Sequence, residues 1–566
     1  MAKLLQLCPV LLYALLLLSC SSVKSRDDVP LQETAQSEET RMETVVERDT
    51  CPAITAPRDA WYSHSVGYEI FVRSFYDSDG DGVGDFNGIT QKLDYLNDGD
   101  PNTHTDLGID LVWLMPTFKS PSYHGYDVTD YRSVNPDYGT PEDFKRMVEE
   151  AHKRGIRILL DLVLNHTSNQ HPWFLASKGR DDPKRNWYVW SETPMTWPRP
   201  WDGSGSTWHD EAGAWYYGVF WEGMPDLNFK EPEVRQEMVD IARFWLDEYD
   251  VDGFRLDAVR YLVETGPGAG QQDTAETLDY WREFSTAVHK THPDALLLGE
   301  AWVSDTVAAG YLANGKGLDA VFDFDFMESI GMGALAEEPA DLEAALCRYP
   351  KLFAEGSVSG TFLTNHDLVR LASRLQEDEA AIRLAPLLLF TLPGLPFVYY
   401  GQEIGQRNGP KLTDEHKRLP MQWSAETAAG FTQSTPWESP NADYEVRNVD
   451  AMQADPDSLW HLYRRLVTLR KENSALLHGD FSTAEVTSKT ASNLMAFVRR
   501  SESNQAVVVV NFSSTSALEA RVVLEATKPA DWRQVWPEDE GKVVEGSSQL
   551  QVGDVPPRSG VIFIAP

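Results

Sequence analysis

Val251-Asp252-Gly253-Phe254-Arg255-Leu256-Asp257 is a short, mostly apolar run that ends on a carboxylate. It is too short for a helix and reads as a strand buried on both faces, the pattern of a parallel sheet. Seven further runs share its character: Val66–Val72, Leu111–Met115, Arg157–Leu162, Leu296–Glu300, Ala320–Phe324, Thr361–Asn365 and Pro396–Tyr400. Helical patterns such as Pro141–Lys153 and Glu233–Tyr249 lie between them, the second behind Pro232, which a helix start tolerates. Eight strand–helix units predict an α/β chain with a (β/α)8 TIM barrel over residues 56–166 and 229–474.

One connection is too long for a simple barrel. Residues 167–228 hold eight of the 18 tryptophans, several Pro and Gly, and no clear long helix. They predict an inserted domain at the C-terminal mouth, where barrel active sites form. Exposed aromatic rings there would offer flat faces to sugar C–H groups, although most of the rings are expected to be core. Beyond the barrel, Ser458–Asn473 reads as an amphipathic helix, and Leu494–Arg499, Ala506–Phe512 and Val561–Ile564 as antiparallel strands. A C-terminal β-sandwich over 475–566 follows.

The first 20 residues read as a signal peptide, with Lys3 ahead of the apolar stretch Leu4 to Leu18. Their Leu17-Leu18-Ser19-Cys20 ending resembles a bacterial lipobox, which implies cleavage before Cys20, a lipid on its thiol, and an exported chain held at a bacterial membrane. Residues 21–55 are polar and read as a tether. A membrane contact is expected only through that lipid, because no later apolar stretch is long enough to span. Cys51 and Cys347 would be left as a possible disulfide pair, which spacing alone leaves open. The net charge of −37 argues against nucleic acid as a partner and is neutral toward a glucan. The chain is expected to act as a monomer.

Acidic residues end several barrel strands: Asp161, Asp257, Glu300 and Asp367. Hydrolysis of a glycosidic bond needs two carboxyl groups flanking it, and strand ends around a barrel can supply them. Arg255 and Asp257 are two apart, so they share one face, and the guanidinium favours an ionised nucleophile. Glu300 closes an apolar run beside Trp302, where desolvation would raise its pKa and suit it to general acid work.

Asp161-Leu162-Val163-Leu164-Asn165-His166, Gly253-Phe254-Arg255-Leu256-Asp257, Gly299-Glu300-Ala301-Trp302 and Thr364-Asn365-His366-Asp367 resemble the four ordered signatures of the α-amylase family, glycoside hydrolase family 13. Met224-Pro225-Asp226-Leu227-Asn228 resembles the segment closing that family's inserted domain, in the subgroup between oligo-1,6-glucosidases and neopullulanases. The resemblance implies a nucleophile at Asp257, an acid/base at Glu300 and a third, stabilising carboxylate at Asp367. It places Arg255, His166, His366, His124, Tyr126 and Asp161 around the sugar to be cleaved, with Tyr126 stacked beneath it and Asp161 in support. Arg260 is expected to reach a sugar hydroxyl further along. The implied activity is endo-hydrolysis of α-1,4 bonds in starch-like glucans. Ala258, where α-1,6-preferring relatives tend to carry Val, favours it. The alternatives are an exo-acting α-glucosidase or oligo-1,6-glucosidase, a transglycosylase, or a non-catalytic glucan-binding lipoprotein.

Asp77-Ser78-Asp79-Gly80-Asp81-Gly82-Val83-Gly84-Asp85 alternates carboxylates with glycines, as a Ca²⁺ loop does. By resemblance its ligands are Asp77, Asp79, Asp81, the Val83 carbonyl and Asp85, with a structural role. A second calcium site near Asn165 is left open, since Tyr261 stands where relatives often have His.

Overall fold

The computed structural model of the chain describes residues 53–54, 60–352, 358–490, 493–524, 530–537, 543–546 and 548–566. The signal peptide, Cys20, Cys51 and nearly all of the tether lie outside the described residues; Cys347 is disulfide-bonded. Ile54, assigned to the tether by composition, is buried and pairs with Phe481.

Eight parallel strands close a barrel: β1 (Gly67–Ile70), β2 (Leu111–Leu114), β3 (Arg157–Leu162), β4 (Gly253–Leu256), β5 (Leu296–Gly299), β6 (Ala320–Phe322), β7 (Val358–Phe362) and β8 (Leu395–Tyr399). Every strand residue except Arg157 is buried. Leu111, Trp113, Leu159, Leu298, Phe322, Phe362 and Phe397 fill the interior, while their neighbours such as Val112, Leu114 and Leu160 belong to the core packed outside it. The barrel is therefore a packed core with its chemistry at one rim.

β7 begins three residues before the run Thr361–Asn365 that the apolar pattern predicts. Its members Ser359, Gly360 and Thr361 are small, and Gly360, which faces the interior between Val358 and Phe362, meets space already filled by large rings. A Cβ on Gly360 would lie 3.0 Å from the Phe322 ring. Thr364 to Asp367 consequently sit in the loop after β7. Gly253 opens β4 at φ +149°, and a Cβ there would meet the Leu296 carbonyl at 2.2 Å.

The inserted segment carries a three-stranded antiparallel sheet of Trp190–Ser191, Ala214–Tyr217 and Trp208–Glu211. Its α-helix, Pro172–Ser177, is one and a half turns long. The bridge His166–Asp226 returns the segment to the end of β3, and Tyr188–Leu227 ties its two halves together. Most of its tryptophans are buried or half-buried, while Trp201 and Trp221 are 43% and 50% exposed. From Asp480 onward a six-stranded and a three-stranded antiparallel sheet sandwich Leu494, Val507, Val509, Leu550 and Phe563. No helix among the described residues is long and apolar enough to cross a membrane.

Candidate active site

Strand register sets the geometry. Asp161 on β3 lies opposite Arg255 on β4, and Leu256 on β4 opposite Gly299 on β5. Asp257 and Glu300 each follow that last pair by one residue, so the two carboxyl groups emerge side by side at the rim. Arg255, fully buried, ties them together. Its Nη1 donates to Asp257 Oδ1 at 2.7 Å and to both Asp161 oxygens at 2.8 and 3.0 Å. Its Nη2 lies 2.8 Å from Glu300 Oε2 in an ion pair. The backbone N–H of Ala258 also donates to Glu300, at 3.3 Å.

A cavity of about 360 Å³ opens over this rim. Of the site residues read from the sequence, Asp257, Glu300, Asp367, His124, Tyr126, His166 and Arg260 line it. Asp161, Arg255 and His366 are placed behind that wall instead: they are wholly buried and hold the groups that line it. Tyr126 illustrates this. Its ring stacks on His366 at 5.6 Å, and its hydroxyl donates to Asp161 Oδ2 at 3.1 Å and meets His366 Nε2 at 2.6 Å. Arg260 is committed as well, with Nε and Nη2 on Asp273 (3.0 and 2.6 Å) and Nη1 donating to the Trp302 carbonyl. It still borders the cavity.

Burial and neighbouring charges push Glu300 and Asp367 to opposite sides of the ordinary carboxylate range. Burial pushes Glu300 up, and the nearby charges of Asp257 and Asp367 push it further, against the pull of Arg255. Burial would also raise Asp367, but His366, Arg418 and Arg255 outweigh it and hold it well below the usual range. His366 is raised to about 9: burial opposes its charge, but Asp367 and Glu69, the latter 2.6 Å from Nδ1, prevail. Burial lowers His124 and His166. His124 Nδ1 accepts the Tyr126 N–H, so the neutral ring carries its proton on Nε2.

Several members of the site are not evident in the sequence. Arg418 lines the cavity, donates to Asp367 Oδ1 at 2.8 Å and to the His366 carbonyl at 3.1 Å. Glu69, Trp113 and Asp273 anchor His366, Asp161 and Arg260 from other strands and loops. Phe220 and Met224 supply apolar wall. Only Met224, inside a recognisable motif, carried any sequence signal.

The family description "Alpha amylase, catalytic domain" matches residues 69–479, and "Alpha amylase, C-terminal all-beta domain" matches residues 486–565. The chain belongs to the α-amylase family. It is a glycoside hydrolase of that family by its catalytic domain and its relatives. It is similar to Alpha-amylase 3 of Dictyoglomus thermophilum, 36% identical over 80% of this chain and 86% of the relative. An oligo-1,6-glucosidase of Parageobacillus thermoglucosidasius is 33% identical over 80% and 90%. Among solved structures, an α-amylase from H. orenii superposes with a TM-score of 0.77 at 38% identity, covering 89% of this chain and all of that one.

Within this α-amylase-family site, Asp367→Asn should reduce kcat about 10²–10³-fold by removing a charge beside the developing positive centre. It should also move the basic limb of the pH–rate profile to lower pH. Asp367 is one of the charges that raise Glu300, and His366 keeps Glu69 as a counter-ion, so the cation that lowers Glu300 is retained. An unshifted basic limb would show that another group sets it.

In the acidic loop, the ligand atoms of Asp77, Asp79 and Asp85 lie within 4.8 Å of one another, a set able to hold a cation. Asp81 lies outside that group; its Oδ1 accepts the Val83 N–H, and its carboxyl is raised by burial and by the neighbouring aspartates. At Asn165, the amide faces Asp226, and Tyr261 packs edge-on against Phe220.

Proposed function

We propose that the chain is a retaining, endo-acting α-amylase that hydrolyses α-1,4 bonds in starch, glycogen or maltooligosaccharides. The observation that carries this reading is the pair Asp257 and Glu300, bridged by one buried guanidinium at the floor of an open cavity. Bridging by a single cation suits the close spacing of retaining chemistry, about 5–5.5 Å, better than the wider gap that admits a water. Glu300 gives its proton to the glycosidic oxygen as Asp257 Oδ2 bonds to the anomeric carbon, Oδ1 being held by Arg255. Water then adds to that carbon, its proton passes to Glu300, and the ester to Asp257 breaks. Asp367 faces the positive charge that forms in both steps.

Ala258 and the α-amylase relatives favour endo-attack on α-1,4 bonds, and the Met224–Asn228 segment supports membership of the intermediate subgroup. A second reading, an exo-acting glucosidase or a transglycosylase, is favoured by relatives named oligo-1,6-glucosidase and trehalose synthase at similar identity. A binding-only protein is disfavoured by Asp257, Glu300 and Asp367 all opening to one cavity. Amylose, pullulan and maltotriose, followed by product size, separate these readings. Rapid chain shortening, with the α-anomer of each new end seen first by NMR, is the expected result. Release of glucose alone, or of trehalose, would replace endo-action with the second reading.

Asp77, Asp79 and Asp85, with Asp81 and the Val83 carbonyl, would hold Ca²⁺ and neutralise the carboxylates of their loop. The Leu17–Cys20 ending supports export and a lipid anchor on Cys20, with the enzyme working as a single chain on its glucan.

A further inference from the structure

We propose that Glu69 is a positioning residue for the hydrolysis: as the counter-charge of His366 it orients a hydrogen-bond chain through Tyr126 and Asp161 to Arg255, and so sets the pH range over which Glu300 works. The proposal rests on the glycosidase reading above. On β1, Glu69 lies opposite Trp113 of β2, whose ring fills the barrel interior, so the carboxylate points inward too. Glu69 is 2% exposed and His366 is wholly buried. Glu69 Oε1 accepts twice from that one residue, from the His366 Nδ1–H at 2.6 Å and from its backbone N–H at 3.4 Å. A carboxylate so far from bulk water is offset by a cation held against it.

The direction of each bond in the chain follows from counting donors and acceptors. Arg255 Nη1 donates to both Asp161 oxygens, and Trp113 Nε1 donates to Oδ2 at 3.3 Å. The Tyr126 hydroxyl gives its one proton to the same Oδ2 at 3.1 Å. Its oxygen is left to accept at its other contact, His366 Nε2 at 2.6 Å, so that nitrogen carries a proton as well. Asp367 Oδ2, 3.2 Å from Nε2, accepts from it too. With both nitrogens donating, the ring is an imidazolium, a form that burial opposes and that Asp367 and Glu69 restore. Without the charge of Glu69 the ring can shed its Nε2 proton, and the Tyr126 hydroxyl then turns to donate to Nε2 and leaves Asp161. The consequence reaches the carboxyl groups. His366 is one of the cations that hold Glu300 down, and it also pulls against the burial that pushes Asp161 up to about 7. Arg255 and Arg418 stay in place, the latter bonded to the His366 carbonyl, and Tyr399 of β8 faces Glu69 from the other side.

The test reads the ring directly. In the full chain labelled with ¹⁵N-histidine, His366, assigned by its absence from His366→Asn, should carry protons on both ring nitrogens through neutral pH. In Glu69→Gln, which keeps the shape and loses the charge, it should shed one of them at a pH lower by about one to two units. In that variant kcat on starch should fall about tenfold, KM should change less, and the basic limb of the pH–rate profile should move up by about one unit. Glu69→Asp keeps a charge near the ring and should leave both the ring proton and the limb close to the parent's positions. A role in packing alone predicts the reverse order, glutamine being the closer fit. A parent His366 with a bare ring nitrogen at neutral pH overturns the proposal and needs no variant to fold; a Glu69→Gln chain whose ring and basic limb titrate like the parent's overturns it as well. A parent that hydrolyses no α-glucan while His366 holds both protons would bring down the glycosidase reading, and with it the role in hydrolysis, while the pairing of Glu69 with His366 stands.

Discussion

Asp257→Asn is expected to lower kcat on starch by at least ~10⁴-fold while leaving the fold intact, because the amide has no charge with which to form the glycosyl ester. The change is isosteric. Arg255 keeps its two bonds to Asp161 and its ion pair with Glu300, so the buried cation is not stranded. That matters because an unpaired buried charge would unfold the rim and confuse loss of chemistry with loss of structure. Initial rates of reducing-end release, alongside a thermal melt, make the measurement. Activity within ~100-fold of the parent in a preparation free of wild type would remove Asp257 from the nucleophile's place.

Glu300→Gln should discriminate between leaving groups. On starch, whose departing sugar oxygen must be protonated, kcat should fall by about 10³–10⁴-fold. On an α-glucosyl fluoride, which needs no such proton, the loss should be much smaller. The basic limb of the pH profile should vanish in the variant. Glu300 is raised above the ordinary carboxylate range by burial and by its acidic neighbours, so it stays protonated, and active as an acid, to a higher pH. Activity is lost as pH rises through that raised value, and glutamine has nothing to titrate. Equal losses on both substrates, or a basic limb that persists, would assign the proton to a different residue.

The strands and the carboxyl groups that line the cavity are legible because barrel strands are short apolar runs and their last residues face the rim. β3, β4 and β5 show this in Leu159–Leu162, Phe254–Leu256 and Leu296–Leu298, each with a charged residue in it or after it. β7 departs from the apolar pattern for the opposite reason. Interior crowding leaves room only for Gly360 between Val358 and Phe362, and with Ser359 and Thr361 beside it the segment does not register as a core strand. Ile54 escapes the pattern because a single apolar residue in a polar stretch gives none, although its contact with Phe481 buries it.

What the sequence by itself determined is the architecture and the candidate reacting groups, since both are written in local periodicity and in short motifs at strand ends. The partition of the site was decided only by the tertiary structure. Arg418 lies 51 residues from the Asp367 it holds, and Glu69 lies 297 residues from His366. Asp161 and Arg255 share motifs with cavity residues yet are buried behind them. Electrostatic coupling and burial depend on distance in space, and distance in space across a closed barrel bears no fixed relation to distance along the chain.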